Sequence, residues 1–255
     1  MSKKSRPWVI LSTVLFLFTT FVLLAYFAVS YIAPRWRIAY DEVVVPEGYE
    51  IHGIDVSHYQ NEIDWRSVSK AKIAGKTVQF AFIRATMGDK KVDKNFQENF
   101  DEAKQKGIIR GAYHFFYPNV SAEKQAKHFI AKVRLEPGDL PPVLDYESTK
   151  GLSKEEIQKG ALSWLKIIEK EYGVKPILYT YLNFKEKYFN TKEFEGYPVW
   201  IAHYTFVNQS VPSYDGTWKF WQHTEKGRLE GIDEKVDLNV YNGSMFDLQK
   251  LLIQE

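Results

Sequence analysis

The sequence predicts an α/β fold, a single irregular (β/α) barrel preceded by one membrane-spanning helix. Two observations predict the barrel. From residue 51 onward, short apolar segments alternate with amphipathic helical ones, and about eight apolar segments fit into about 200 residues. These segments are apolar throughout, the mark of parallel strands covered by helices. A third observation predicts the membrane helix: WVILSTVLFLFTTFVLLAYFAVSYIA, residues 8–33, carries no charge. At about 1.5 Å per residue it exceeds a hydrocarbon core of about 30 Å.

The apolar run is longer than the h-region of a signal peptide, typically about 7–15 residues, and no clear small-residue cleavage site follows it. Trp8, Tyr26, Tyr31 and Trp36 sit near its ends, where aromatic belts form. Residues 1–7 are a basic cytoplasmic tail by the positive-inside rule, although Arg35 and Arg37 beyond the run weaken that bias. The expectation is an uncleaved signal anchor over residues 8–33. It implies a single-pass protein of the inner (cytoplasmic) membrane, its folded domain exported to the periplasmic or extracellular side. Residues 34–50 read as a stalk, with Pro34 ending the helix and Pro46 and Gly48 punctuating the approach to a domain at 51–255.

Within that domain, strands are expected at residues 51–57, 78–86, 108–116, 141–147, 175–181, 197–204, 217–224 and 235–241. Helices are expected at 93–107, with Asp93 as N-cap and Gly107 as stop, and at 121–133, with Ser121 as N-cap. The third, at 153–173, has a capping box of Ser153 and Glu156 and ends at Gly173. In the last third the helices fade.

Composition narrows the chemistry. Cysteine is absent, which excludes disulfides, a thiol nucleophile and a thiolate-bound metal. The formal charge of +2 comes from the five basic residues of positions 1–40, so the rest of the chain is mildly acidic and nucleic-acid binding has no electrostatic basis. No glycine-rich phosphate loop or HExxH-like spacing occurs, so neither a cofactor nor a metal is expected. The 7 Trp, 16 Tyr and 17 Phe fill a core and also suit a groove that stacks on sugars.

In a β/α barrel the functional groups sit at the C-terminal ends of the strands. There this sequence places Asp55, Ser57, His58, Arg84, Thr86, Tyr113, His114, Asp145, Glu147, Tyr179, Trp200, His203, Tyr204, Trp221, Gln222, Asp237 and Asn239. Asp145 and Glu147, in PPVLDYES, are two residues apart, so they share a strand face with Cα atoms roughly 6–7 Å apart. Paired carboxylates among aromatic platforms point to glycoside hydrolysis, in which one acid protonates the leaving oxygen and a second group stabilises an oxocarbenium-like centre. Mutual repulsion raises one pKa of such a pair and keeps a proton available. A D-x-E pair alone fits a solvated loop, Asp55 alone fits a backbone-bonding aspartate, and Asp237 alone fits a turn. The convergence at strand ends is what favours a site.

Several segments together resemble the family 25 glycoside hydrolases, the Chalaropsis-type lysozymes. They are GIDVSHYQNEIDW (53–65), the run from FAFIRATMGD to AYHFFYP (80–118), PPVLDYES (141–148), PILYT (176–180), PVWIAHY (198–204) and WKFWQHTEKGRLEGIDEKVDLNVYNG (218–243). The resemblance covers about residues 51–243 in family order. It implies a barrel of the β5α5β3 type and hydrolysis of the β-1,4 bond between N-acetylmuramic acid and N-acetylglucosamine in peptidoglycan strands; a monomer is expected. It also implies Glu147 as acid/base, Asp145 as its companion, Asp55 and Asp237 as further groove acids, and Tyr113 and Tyr179 as cleft tyrosines. Trp200, Tyr204, Trp221 and Arg84 complete the expected substrate-binding set. Two departures stand out: the family's usual IKATEG reads IRATMG here, so Arg84 replaces an ammonium by a guanidinium and Met87 replaces a carboxylate. A catalytically weak wall-binding module and a chitinase-like hydrolase are the competing readings. The intact acidic set opposes the first, and the missing D-x-x-D-x-D-x-E run opposes the second.

Overall fold

The computed structural model describes residues 7–27, 43–204, 212 and 218–254, with backbone alone at 7–12. The chain divides into two units, residues 1–44 and 45–255.

In the first unit helix α1 spans Pro7–Phe27. The expected membrane anchor needs correcting: among the described residues no helix is long and apolar enough to cross a membrane. The part of α1 with described side chains, residues 13–27, covers only about 22 Å at 1.5 Å per residue, short of a core of about 30 Å. The transmembrane part of the expected fold class and the single-pass membrane localisation fall with it. Residues 1–6 of the basic tail, the end of the apolar run at 28–33 and the stalk residues 34–42 lie outside the described residues.

The second unit holds one hydrogen-bonded sheet. Its strands are β1 (Ile51–Val56), β2 (Lys72–Ile73), β3 (Lys76–Met87), β4 (Lys91–Val92), β5 (Ile109–Phe115), β6 (Val143–Asp145), β7 (Ile177–Tyr181), β8 (Val199–Ala202), β9 (Phe220–Leu229) and β10 (Ile232–Tyr241). The order β1-β10-β9-β8-β7-β6-β5-β3 closes into an eight-strand barrel because β1 also pairs with β3. β2 and β4 are short additions to β3. The eight strand segments read from the sequence are these eight barrel strands.

The expected β5α5β3 form, a (β/α) barrel, is also corrected. β10 runs antiparallel to both of its neighbours, β9 and β1, while the other barrel pairs are parallel. The reason is local. Only Glu230 and Gly231 separate β9 from β10, and Gly231 has φ of +95°. A two-residue link can join strands only as a hairpin, and a positive φ is what such turns demand. The stretch 225–234, expected as a loop, is therefore the outer half of a long hairpin. Among the described residues three helices of ten or more residues cover this unit's parallel strands: α3 (Phe96–Gln105), α4 (Ala122–Lys132) and α5 (Lys154–Tyr172), with a single-turn α2 (Trp65–Val68) before them.

Local signals explain the helix ends. The Ser121 hydroxyl accepts from the Lys124 amide, Ser153 and Glu156 form a reciprocal capping box, and Gly173 ends α5 in the left-handed region. Asn95, not Asp93, is the N-cap of α3.

Strand alternation then sorts side chains. In a barrel every second residue points inward. Ile51, Phe80, Phe82, Val143, Ile177, Trp200, Phe220 and Tyr241 form one buried interior cluster, closed below by Leu248 of the final helix α6 (Met245–Leu251). Phe82 stacks on Trp200 at 4.3 Å between centroids. Val199, Ile201, Trp218, Trp221 and Val240, of opposite parity, form a separate cluster outside.

Gly53 leaves room for this interior: a Cβ there would lie 2.5 Å from the Phe80 ring. Replacing Gly53 by Ala should therefore destabilise the domain by about 1–3 kcal/mol through overpacking. Thermal unfolding followed by circular dichroism checks this, and an unchanged melting point would show that the barrel yields at this place.

Candidate active site

Continuing each inward column one step upward brings polar residues to the mouth. β1 gives Ile51, Gly53, Asp55; β3 gives Phe80, Phe82, Arg84; β6 gives Val143, Asp145 and then Glu147; β7 gives Ile177, Tyr179, Tyr181; β9 gives Phe220, Gln222. Together they line a cleft of about 200 Å³ at the C-terminal ends of the parallel strands, joined by Tyr113, Trp200, Tyr204 and Asp237.

The acidic pair is held by what lies between it. Tyr146 points the other way, fully buried, and its ring stacks on Phe116 at 4.7 Å. The Tyr146 amide donates to the Tyr179 carbonyl at 3.1 Å, its carbonyl accepts from the Thr180 hydroxyl at 2.7 Å, and the Asp145 carbonyl accepts from the Phe116 amide at 2.8 Å. With Tyr146 fixed outward, Asp145 and Glu147 on either side must face the cleft.

Asp55 is gripped by amides. Its Oδ2 accepts from Gln222 Nε2 at 2.9 Å and from Asn239 Nδ2 at 2.7 Å. Gln222 Oε1 accepts in turn from the Tyr179 and Tyr204 hydroxyls, at 2.7 and 2.6 Å, and Asn239 Oδ1 accepts from Trp200 Nε1 at 2.8 Å. Five of these side chains thus form one continuous network with Asp55.

Five carboxyls line the cleft, and ionisation is disfavoured for four of them, Asp55, Asp145, Glu147 and Asp237. Burial, then the charges of Glu147 and Asp55, push Asp145 well above the usual carboxylate range, with Arg84 working against them. Burial is also the main cause of the raised pKa values of Glu147 and Asp55. For Asp237, burial and the Asp55 charge push the carboxyl up to about 10. Asp145 Oδ1 is buried with no hydrogen-bond partner among the described residues.

Arg84 is the one cation among the residues lining this cleft. Its Nε donates to Asp93 Oδ2 at 3.0 Å, and the same oxygen accepts the His58 amide at 2.9 Å. Burial works to raise the Asp93 carboxyl, yet hydrogen bonds from His58 and Asn95 and the Arg84 charge hold it below the usual range. The guanidinium is thereby fixed on one edge.

Comparison with known proteins decides the family. The description "Glycosyl hydrolases family 25" matches residues 54–232. This chain belongs to that family. The family 25 chain is 45% identical over 210 residues to "Uncharacterized protein YegX" of Escherichia coli (strain K12), covering 80% of this chain and 74% of that protein. It is 35% identical over 210 residues to "Lysozyme M1" of Streptomyces globisporus, covering 76% and 68%. The crystal structure of the bacterial lysozyme from Streptomyces coelicolor superposes with a TM-score of 0.72 at 33% identity, covering 81% of this chain and 98% of that one. The chain is accordingly a glycoside hydrolase.

Of the ten site residues expected from sequence, nine of this family 25 chain line the cleft: Asp55, Arg84, Tyr113, Asp145, Glu147, Tyr179, Trp200, Tyr204 and Asp237. Trp221 does not. It lies outside the barrel, where its Nε1 donates to the His203 carbonyl at 2.8 Å. Strand parity is the reason: Gln222, its neighbour, takes the inward position. Tyr59, Gln60, Tyr181 and Glu225 also line the cleft without having been singled out. Tyr181 continues the Ile177–Tyr179 column and was legible by parity, whereas the others come from a turn after β1 and from the hairpin. At the family departure, Met87 Sδ accepts from the Tyr117 hydroxyl at 2.7 Å, away from the cleft lining.

A carboxyl whose folded pKa is raised favours folding fully below its unfolded value and loses that contribution as pH rises toward the folded value. For Asp237 this window runs from about 4 upward. Asp237→Asn should therefore melt higher than wild type by about 2–4 °C at pH 8, with the gap closing toward pH 4. Melting curves across pH test this, and a gap that widens on acidification would contradict the assigned electrostatics.

Proposed function

We propose that this chain, a peptidoglycan-hydrolysing muramidase, cleaves the β-1,4 bond from N-acetylmuramic acid to N-acetylglucosamine with retention, assisted by the substrate's own 2-acetamido group. The observation that supports this path is the placement of Asp145 and Glu147 on one strand end and one face, on either side of the outward Tyr146. A nucleophile must approach the anomeric carbon from the face opposite the acid. Two carboxyls of one strand face are badly placed for opposite approaches, and the acetamido oxygen can supply the attack.

In this reading Glu147 is the acid. Burial raises its pKa and so favours the protonated form, and it delivers that proton to the glycosidic oxygen as the C–O bond breaks. The acetamido oxygen bonds to the anomeric carbon from the other face. Asp145 accepts the acetamido N–H through its unpartnered Oδ1, and the positive charge that develops there favours its carboxylate form against the burial that raises it. Water then adds to the anomeric carbon, the oxazolinium ring opens, and Glu147, now a carboxylate, takes the proton from that water. Asp55 and Asp237 complete the acidic floor. Tyr113, Tyr179, Trp200 and Tyr204 supply apolar ring faces and polar tips to the sugars, and Arg84 places a fixed positive charge beside them.

Wild type and Glu147→Gln are to be incubated with purified peptidoglycan and with chitin, and the new reducing ends identified. Wild type should release N-acetylmuramic acid ends from peptidoglycan and leave chitin intact. Glu147→Gln should lower the rate by about 10²–10⁴-fold. Release from chitin alone would favour the chitinase-like reading, and a trapped sugar–Asp55 adduct would replace acetamido assistance by direct attack.

A further inference from the structure

Beside the cleft lies a second cavity of about 410 Å³, lined by Tyr59, Gln60, Arg228, Asp233, Glu234 and Lys235. Tyr59 and Gln60 also line the cleft, so the two spaces share a wall. That wall is held in place. Gln60 Oε1 accepts from the Ser57 amide at 2.9 Å, and its Nε2 donates to the Lys235 carbonyl at 2.9 Å, which ties the turn after β1 to the hairpin. The Tyr59 ring, 67% exposed, stacks on His58 at 4.4 Å and has the Arg84 guanidinium 5.1 Å from its centroid. The remaining four lining residues sit on the outer half of the β9–β10 hairpin, and Lys235 precedes the cleft residue Asp237 by two positions.

The two spaces differ in chemistry. The cleft is acidic and ringed by aromatics. The second cavity carries two cations and two anions, and none of these four side chains forms an ion pair among the described residues. All four side chains are exposed, and a neutral sugar would use none of their charges. A short peptide bearing both carboxylates and an amino group would match both signs. Peptidoglycan carries such a peptide as a branch on its muramyl sugars. We propose that this cavity binds the peptide branch of the substrate, with Arg228 and Lys235 recognising its carboxylates and Asp233 and Glu234 its amino group. The inference rests on the muramidase reading.

The test compares glycan strands that carry their peptides with strands stripped of them by an amidase. Wild type should show a higher kcat/KM on peptide-bearing strands. The double variant Arg228→Ala/Lys235→Ala should lower the ratio of the two kcat/KM values about tenfold, chiefly through KM. It leaves the Gln60 tie intact, because that bond uses the Lys235 backbone. A ratio equal in variant and wild type overturns the proposal, as does an equal loss on both substrates, which would make the cavity an outer sugar subsite. A binding arm separates this from the activity. In the Glu147→Gln background, calorimetry measures the disaccharide of N-acetylglucosamine and N-acetylmuramic acid with and without its tetrapeptide. Tighter binding of the peptide form, lost in the triple variant, supports the cavity even if wild type cleaves neither strand. Equal binding of both forms overturns it.

Discussion

Everything functional here depends on the two-residue period of a strand inside a closed barrel. An inward position low in the barrel has no water and must be a ring or an aliphatic group. The same column two residues later reaches the mouth and can be polar. Phe80 and Phe82 lead to Arg84, Ile51 leads to Asp55, and Val143 leads to Asp145. The aromatic interior is therefore also the platform that fixes the height of the acids. Tyr146 shows the constraint at its tightest: a fully buried ring on the outer side sends both of its acidic neighbours inward.

The charge arrangement follows from this geometry. Three strands, β1, β6 with the residues just after it, and β10, deliver four carboxyls to one space, and burial raises them all. The only cation among the cleft's lining residues, Arg84, is already tied along one edge to a buried aspartate. It moderates the cluster without neutralising it. A lysine here would present a point charge on a flexible stem, whereas a guanidinium held through Nε keeps its remaining donors in a defined plane.

Much of this was readable from the residues alone. All eight barrel strands, the three long helices and the caps of two of them, at Ser121 and at Ser153 with Glu156, follow from apolar runs and capping signals, and nine of ten expected site residues meet in one cleft. What escaped had physical causes. Trp221 and Gln222 are adjacent, and only the exact inward parity of β9 separates them, which the irregular register with β10 obscures. The stretch 225–234 is charged on its exposed face, so it reads as loop although it is paired backbone. Asp93 sits where a helix cap belongs, yet its partner Arg84 is remote enough that spacing gives no hint of the bond. An uncharged run predicts a membrane-spanning helix, and among the described residues none is long and apolar enough to cross a membrane.

The Gln222 amide has one more consequence. Its oxygen receives two tyrosine hydroxyls and its nitrogen serves Asp55. The opposite amide orientation would set an oxygen against a carboxyl and an NH₂ against two hydroxyls, so the neighbours fix its direction. With its hydrogen committed to Gln222, Tyr204 can offer an incoming molecule only lone pairs, whereas the Tyr179 hydroxyl also serves Glu147. This wall of the cleft is a hydrogen-bond acceptor surface without a net charge, and it selects ligands by the hydroxyl and amide hydrogens they can turn toward it.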